Sequence, residues 1–330
     1  MGFLYSQFFK TPAYPTASFT GKTVIITGSN TGLGKEAARH VVRLGAQRLI
    51  LAVRSLDKGQ AAKLDIAGGT TTADIQVWQL DMASYDSVQR FAARVNSELD
   101  RVDHFVANAG VASFNYETAE DNEHTITVNV ISTFLLLALV LPKMKETAAA
   151  AAATPTRPVF TVMSSGAHTH TSFPQRTAPK GKLLETINDE QEWAKHPGEQ
   201  YPLSKLLEIF LVRAIAERCP APQFPVTINA ADPGLCHSEL AREAVGLQKV
   251  AFDLFKTLIA RSTEVGSRTE VNAVAAGVET HGQYVVDSCE IPKMVPLIAD
   301  GKELQDRIAE EVFAKLDAIV PGVTGNFSLA

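Results

Sequence analysis

A chain of 330 residues, 45% hydrophobic and 20% charged, has enough apolar material for a sizeable core and is neither a disulfide knot nor globally disordered. Its formal net charge of −5 provides no basic surplus to neutralise a phosphate backbone, which argues against nucleic-acid binding. The three cysteines, Cys219, Cys236 and Cys289, are odd in number and form no CxxC pair, which argues against a disulfide framework and a structural zinc site.

Residues 1–21 are aromatic, broken by Pro12 and Pro15, and lack the continuous apolar stretch of an export signal; they read as an N-terminal extension. From Lys22 onward short apolar runs alternate with longer amphipathic ones. The first predicted strand is 23–27 (TVIIT), followed by a glycine-rich turn and a helix over 33–44 with apolar residues at helical spacing. Strands follow at 48–53 and 75–80, a helix at 88–95, a strand at 102–107 and a long helix at 121–146. The apolar run 128–141 inside that helix is interrupted by Asn129, Ser132 and Thr133 and falls short of the roughly 20 residues that span a bilayer, so a cytoplasmic protein is expected. The alanines at 148–153 read as a frayed helix end and a loop. A strand at 159–163, a helix at 202–218 and a strand at 226–230 complete the series.

Such alternation predicts a parallel sheet covered on both faces. Right-handed crossovers make it a doubly wound, Rossmann-type α/β fold, a single domain over 22–330. The polar stretch 166–200, and 235–262 with its helical segment, lie beyond strand ends, where open α/β sheets grip ligands.

Thr27-Gly28-Ser29-Asn30-Thr31-Gly32-Leu33-Gly34 directly follows the first strand and opens a helix. Glycines admit a tight turn and close approach to a pyrophosphate, and the helix N-terminus offers free N–H groups. The spacing G-x-x-x-G-x-G is neither the common dinucleotide fingerprint nor a Walker loop. Alone, it reads as well as an ordinary strand-to-helix turn.

Further motifs follow in a fixed order: Asn108-Ala109-Gly110, Asn129, Ser165, Tyr201-x-x-x-Lys205 and Pro233-Gly234. The ordered set resembles the short-chain dehydrogenase/reductase family over about residues 22–284. Overall similarity runs to retinol-dehydrogenase-like members, and the stretch 233–240 to fungal members of natural-product pathways. The resemblance implies a nicotinamide dinucleotide held by Gly28, Ser29, Asn30, Gly32, Leu33 and Gly34. It also implies Asp81 on the adenine, Asn108, Ala109 and Gly110 beside the adenosine ribose, Pro233 and Gly234 turning over the nicotinamide, and Ser238 near its carboxamide. For Asp81 the alternative is an N-cap of the following helix.

In that family an acid closing the second strand selects NAD. Here the chain reads Ala52-Val53-Arg54-Ser55, without an acid, and Arg54 offers charged donors to a 2′-phosphate. NADP(H) is therefore expected, with Ser29, Asn30 or Ser55 assisting; a surface arginine closing the strand is the plainer alternative.

Tyr201 and Lys205, four apart, share one helix face. A free phenol titrates near 10; an adjacent ammonium and an oxidised nicotinamide are expected to lower that, so that Tyr201 exchanges a proton with a carbonyl oxygen. The resemblance gives Lys205 the nicotinamide ribose, Ser165 a hydrogen bond to the reacting oxygen, and Asn129 a water leading to the lysine; a structural amide reads equally well for Asn129. Ser164 and Ser165 face opposite ways on a strand, and the family pattern favours the second. Ser165 and Tyr201 stand 36 positions apart, an insertion that resembles retinol-dehydrogenase-like subgroups.

His168, His170 and His237 show no metal-ligand spacing, so no metal is expected, and no G-x-S-x-G elbow supports a hydrolase. The expected activity is NADP(H)-dependent hydride transfer to a carbonyl or from a secondary alcohol, as a ketoreductase on a bulky, apolar natural-product-like substrate. The alternative is a protein of this kind that binds NADP(H) without turnover. Family members pair through the helix at 203–212, so either a homodimer or homotetramer forms there or that helix is covered within one subunit.

Overall fold

A computed structural model describes residues 3–69, 71–150, 157–237, 259–292 and 301–329. Seven strands form the sheet: β1 (Thr23–Thr27), β2 (Arg48–Val53), β3 (Asp74–Gln79), β4 (His104–Ala107), β5 (Val159–Met163), β6 (Thr227–Asp232) and β7 (Tyr284–Val286). They pair in parallel in the order β3-β2-β1-β4-β5-β6-β7. β1, β4, β5 and β6 are buried at every residue, whereas edge strand β3 exposes both ends. Helices on both faces account for the uninterrupted apolar runs of the central strands. The strand order reverses between β1 and β4, which opens a crevice at their carboxyl ends.

The helices are α1 (Phe3–Phe9), α2 (Gly32–Arg43), α3 (Leu56–Ala67), α4 (Tyr85–Glu98), α5 (His124–Ala150), α6 (Leu183–Ile187), α7 (Glu190–Lys195), α8 (Gln200–Arg218), α9 (Thr263–Val274) and α10 (Gly301–Ile319). Ala37, Ala38 and Val41 of α2, Ile66 of α3 and Val271 of α9 pack on one face of the sheet. Phe91 of α4, Phe134 of α5, Phe210 of α8 and Phe313 of α10 pack on the other. Ser55, Ser84 and Ser262 cap α3, α4 and α9 by accepting backbone N–H groups.

α5 starts later than the predicted 121–146 because Thr118–Ala119 pairs with Asn122–Glu123 in a two-stranded ribbon, after which Glu123 caps the helix through Ile126 N. α5 is long and apolar enough to cross a membrane, with a mean hydropathy of 2.1, but 89% of that window is buried inside the protein: it is a core helix. α8, the expected pairing surface, is covered within the chain by α10. Most of the segment expected to be helical within 235–262 lies outside the described residues; its described ends pair with each other through Cys236 and Arg261.

Candidate active site

The β1–α2 turn lies at the carboxyl edge of the sheet. Gly28 (φ +65°) and Gly32 (φ +60°) occupy the left-handed region that glycine tolerates best. A Cβ on Gly28 would stand 3.0 Å from Ala109 Cα, and one on Gly34 would collide with the Asn108 amide. That amide donates to Thr27 O at 2.8 Å, and Ala109 N donates to Thr27 Oγ1 at 2.9 Å, so the segment after β4 is knitted to the turn. Space beyond Gly32 is open, and the Thr31 side chain does not cap α2. The uncapped helix start and the close-packed glycines fit a dinucleotide pyrophosphate. Leu33 faces α9, where a Cβ on Gly266 would lie 2.8 Å from its Cδ2.

Arg54 is exposed just beyond β2 and, among the described residues, has no ion-pair partner. Asn30 is half-buried in the turn. Ser29 is different. Its hydroxyl is buried and donates to Ile26 O at 2.9 Å, which corrects the expectation that it assists at a 2′-phosphate. Ser55 is engaged as the cap of α3. Asp81 does not cap α4, a task taken by Ser84; its Oδ1 accepts from Ala83 N at 3.0 Å. Ser238 lies outside the described residues.

The two serines closing β5 separate as strand alternation requires. Ser164 is buried and donates to Lys205 O at 3.0 Å. Ser165 is half-buried, accepts from Ala167 N at 3.1 Å, and lies near enough to the Tyr201 phenol to pull its pKa down. By capping the 3₁₀ turn Gly166–His170, Ser165 begins the insertion, and the 36 positions to Tyr201 do not part the two hydroxyls.

Tyr201 is in the first turn of α8. Lys205 Nζ lies 5.6 Å from its ring centroid and donates to Met163 O at 2.8 Å and to Glu208 Oε1 at 2.7 Å. Burial raises the Tyr201 pKa, and the opposing pull of Lys205 and Ser165 does not reverse this. Lys205 thus pulls the pKa down as expected, but in the protein alone burial outweighs that pull. Burial opposes the Lys205 charge, yet Glu208 and the phenol hold its pKa above the ordinary value. Burial pushes the Glu208 carboxyl up to about 7 against the pull of Lys205.

Asn129 occupies a π-helical turn, Thr127–Ile131, inside α5. Its amide donates to Val111 O at 2.9 Å and Ser204 Oγ at 3.0 Å and accepts from Val111 N at 2.9 Å. Ser204 donates in turn to Tyr201 O at 2.8 Å. These contacts fit the structural-amide alternative, with one arm on the backbone that carries the phenol. Between them Gly110 leaves a gap: a Cβ there would stand 3.3 Å from Asn129 Oδ1 and 3.7 Å from Lys205 Nζ.

Pro233 and Gly234 follow β6, with Gly234 at φ +75° and its N–H donating to Asp232 Oδ1 at 2.8 Å. Asp232 Oδ2 accepts from Tyr284 OH at 2.8 Å. His168 donates through Nδ1 to Ser165 O at 2.7 Å and packs edge-on to Tyr284; burial lowers its pKa, keeping it neutral. His170 and His237 are exposed, and among the described residues no three His, Cys, Asp or Glu side chains gather as a metal site.

Three contributors escaped the sequence reading. Gln7 of α1 donates to Leu235 O at 2.8 Å and Ile259 O at 2.7 Å and accepts from Leu235 N at 3.2 Å. Arg261 donates to Pro233 O, Ser6 O, Lys10 O and Asp287 Oδ1, so the N-terminal segment and the turn share one guanidinium. Glu208 is the third. Glu208 had a weak signal, a single polar residue in the otherwise apolar stretch LLEIFLV.

The model of the short chain dehydrogenase family matches residues 22–154. The short chain dehydrogenase/reductase dmxR8 of Cryptosporiopsis sp. is 60% identical over 331 residues, covering 99% of this chain and 100% of the relative. The short chain dehydrogenase atnD of Emericella nidulans is 43% identical over 288 residues, covering 86% and 90%. Among solved structures, an alcohol dehydrogenase of the archaeon Thermococcus sibiricus, complexed with 5-hydroxy-NADP, aligns with a TM-score of 0.57 at 20% identity over 83% of this chain and 99% of that one. The chain belongs to the short-chain dehydrogenase/reductase family. It is an oxidoreductase of the class that uses nicotinamide cofactors.

Proposed function

We propose that the protein is a cytoplasmic, NADP(H)-dependent ketoreductase of fungal secondary metabolism, acting on a bulky, apolar carbonyl compound. The observation that carries this reading is the gathering of Ser165 and Lys205 at the Tyr201 phenol, with Lys205 Nζ 5.6 Å from its ring centroid, at the sheet edge that also holds the uncapped start of α2. When bound, the nicotinamide supplies the hydride. Tyr201 gives its phenolic proton to the carbonyl oxygen, and Ser165 hydrogen-bonds that oxygen while negative charge develops on it. Lys205 steadies the phenolate left behind and reaches the ribose hydroxyls; Asn129 holds the backbone that carries both. Gly28, Asn30, Gly32, Leu33 and Gly34 cradle the pyrophosphate, Asp81 takes the adenine, and Asn108, Ala109 and Gly110 border its ribose. Pro233, Gly234 and Ser238 border the nicotinamide.

Two observations support NADP(H): the exposed Arg54 without a partner among the described residues, and the absence of an acid at the end of β2. The Thermococcus alcohol dehydrogenase was solved with an NADP derivative. Identity of 60% and 43% to fungal short chain dehydrogenases supports a place among the fungal members of the family.

The test is loss of NADPH absorbance with a panel of alicyclic and aromatic ketones. Tyr201→Phe is expected to lower turnover by about 100-fold or more while NADPH binding, read by fluorescence, persists. Turnover undiminished in that variant would refute the assignment.

A further inference from the structure

The proposed chemistry asks for a cation beside the phenol and has no use for Glu208. Yet Glu208 is buried in α8 one turn beyond Lys205, the two side chains 2% and 6% exposed and joined at 2.7 Å. Among the described residues its one ion pair is with Lys205, which supplies the counter-charge; the Ser164 hydroxyl lies beside the carboxylate. An anion at hydrogen-bond distance cancels much of the field that an ammonium exerts on a third group, and more so where water is excluded.

The other groups facing the phenol do not restore that field. Ser165, at the end of β5, offers a neutral hydroxyl. His168, in the following turn, is kept neutral by burial and bonds the Ser165 carbonyl. Asp232 of β6 adds a second negative charge nearby, and Tyr284 of β7 is tied to it. Among the described residues, the charges acting on the phenol are thus one cation against two carboxylates.

We propose that Glu208 is a positioning residue that balances Lys205, keeps Tyr201 in its proton-bearing form, and so biases the site toward carbonyl reduction. In that direction the carbonyl carbon takes the hydride and its oxygen takes the Tyr201 proton, with the dihydronicotinamide oxidised in return; solvent then reprotonates the phenolate. Alcohol oxidation begins from the phenolate and is disfavoured. This bias rests on the oxidoreductase reading above, whereas the charge balance itself does not.

The experiment is a pH titration of the ligand-free protein labelled with ¹³Cζ-tyrosine, with Tyr201→Phe identifying the resonance. Glu208→Gln keeps the shape and an oxygen acceptor for Lys205, and is expected to lower the Tyr201 titration by about one pH unit or more. Glu208→Asp, which keeps the charge, is expected to stay nearer the wild-type value. Should Glu208→Gln fail to fold, Glu208→Asn carries the same comparison. A Tyr201 titration that stays put or rises when the charge is removed overturns the proposal, whether or not a carbonyl is turned over. Failure of the wild-type protein to bind NADPH sinks the NADP(H) reading and leaves the titration standing. With a ketone and its alcohol from the panel, each at saturation with its cofactor, Glu208→Gln is expected to move the ratio of maximal oxidation rate to maximal reduction rate at pH 8 upward by about tenfold, the kinetic counterpart of one pH unit; no change in that ratio removes the directional bias.

Discussion

Replacing Gln7 with alanine tests whether the N-terminal segment holds the turn after β6 in place. The Gln7 amide is buried and makes three hydrogen bonds, two with Leu235 after β6 and one with Ile259 before α9. At about 1 kcal/mol each, their loss amounts to about 3 kcal/mol. α1 stays attached, because Arg261 still binds Ser6 O and Lys10 O, and Lys10 still pairs with Glu290. The damage is therefore local, a loosened neck rather than an unfolded protein. At about 1.4 kcal/mol per factor of ten, protection of the Leu235 amide against hydrogen exchange is expected to fall by about two powers of ten. The dissociation constant for NADPH is expected to rise by up to the same factor, with the thermal midpoint lowered by only a few degrees. Native-state exchange read by mass spectrometry or NMR measures the first, and fluorescence titration the second. Leu235 protection within a few-fold of wild type would show that the N-terminal segment merely lies against a turn that holds itself.

Three further outcomes are expected. Gly34→Ala drives a methyl into the Asn108 amide that holds Thr27 O; a lost hydrogen bond plus overpacking costs about 2–4 kcal/mol, visible as a lower melting temperature and weaker NADPH binding. Glu270 is fully buried, neither oxygen has a hydrogen-bond partner, and burial pushes its pKa from 4.5 up to about 8. Its stability contribution is fully present below the unfolded value and is lost as pH rises through that window, on the order of 4 kcal/mol. Glu270→Gln is thus expected to raise the melting temperature at pH 8 and change it little at pH 4.5; equal shifts at both would contradict this. Arg54→Asp places an anion where a 2′-phosphate would sit and is expected to raise the KM for NADPH by about tenfold or more relative to NADH; an unchanged ratio removes the assignment.

Strands buried on both faces were the most legible part of the fold. TVIIT, RLILAV and VFTVM match β1, β2 and β5 residue for residue, since their short β-branched and apolar runs are buried at all positions but Arg48. α3 left no comparable stripe because it packs through small residues: a Cβ on Gly59 would come within 2.6 Å of Val53 Cγ2. Gly266 does the same for α9, against Leu33. α10 does carry an apolar stripe, Leu304, Ile308, Val312 and Leu316, but it lies beyond the last family motif and went unread. β7 has three residues, too few for any period.

At the site, positions were legible and charges were not. Glycines that must lie against Asn108 and Ala109, and a serine that must alternate with its neighbour, follow from backbone geometry, which short motifs record. Ser29 misled because a hydroxyl in a glycine turn can fold back on the strand it leaves, here to Ile26 O. The ionisation of Tyr201 depends instead on distances between α8 and the ends of β5 and β6, which no local spacing encodes. A tyrosine and a lysine four apart announce a cation near a phenol, but the net field also needs Glu208, Asp232 and the extent of burial. A buried ion pair contributes little to stability compared with apolar side chains of the same size. The Lys205–Glu208 pair is thus poorly explained as a stabilising contact, and its place one helical turn from the phenol makes proton control the better account of its burial.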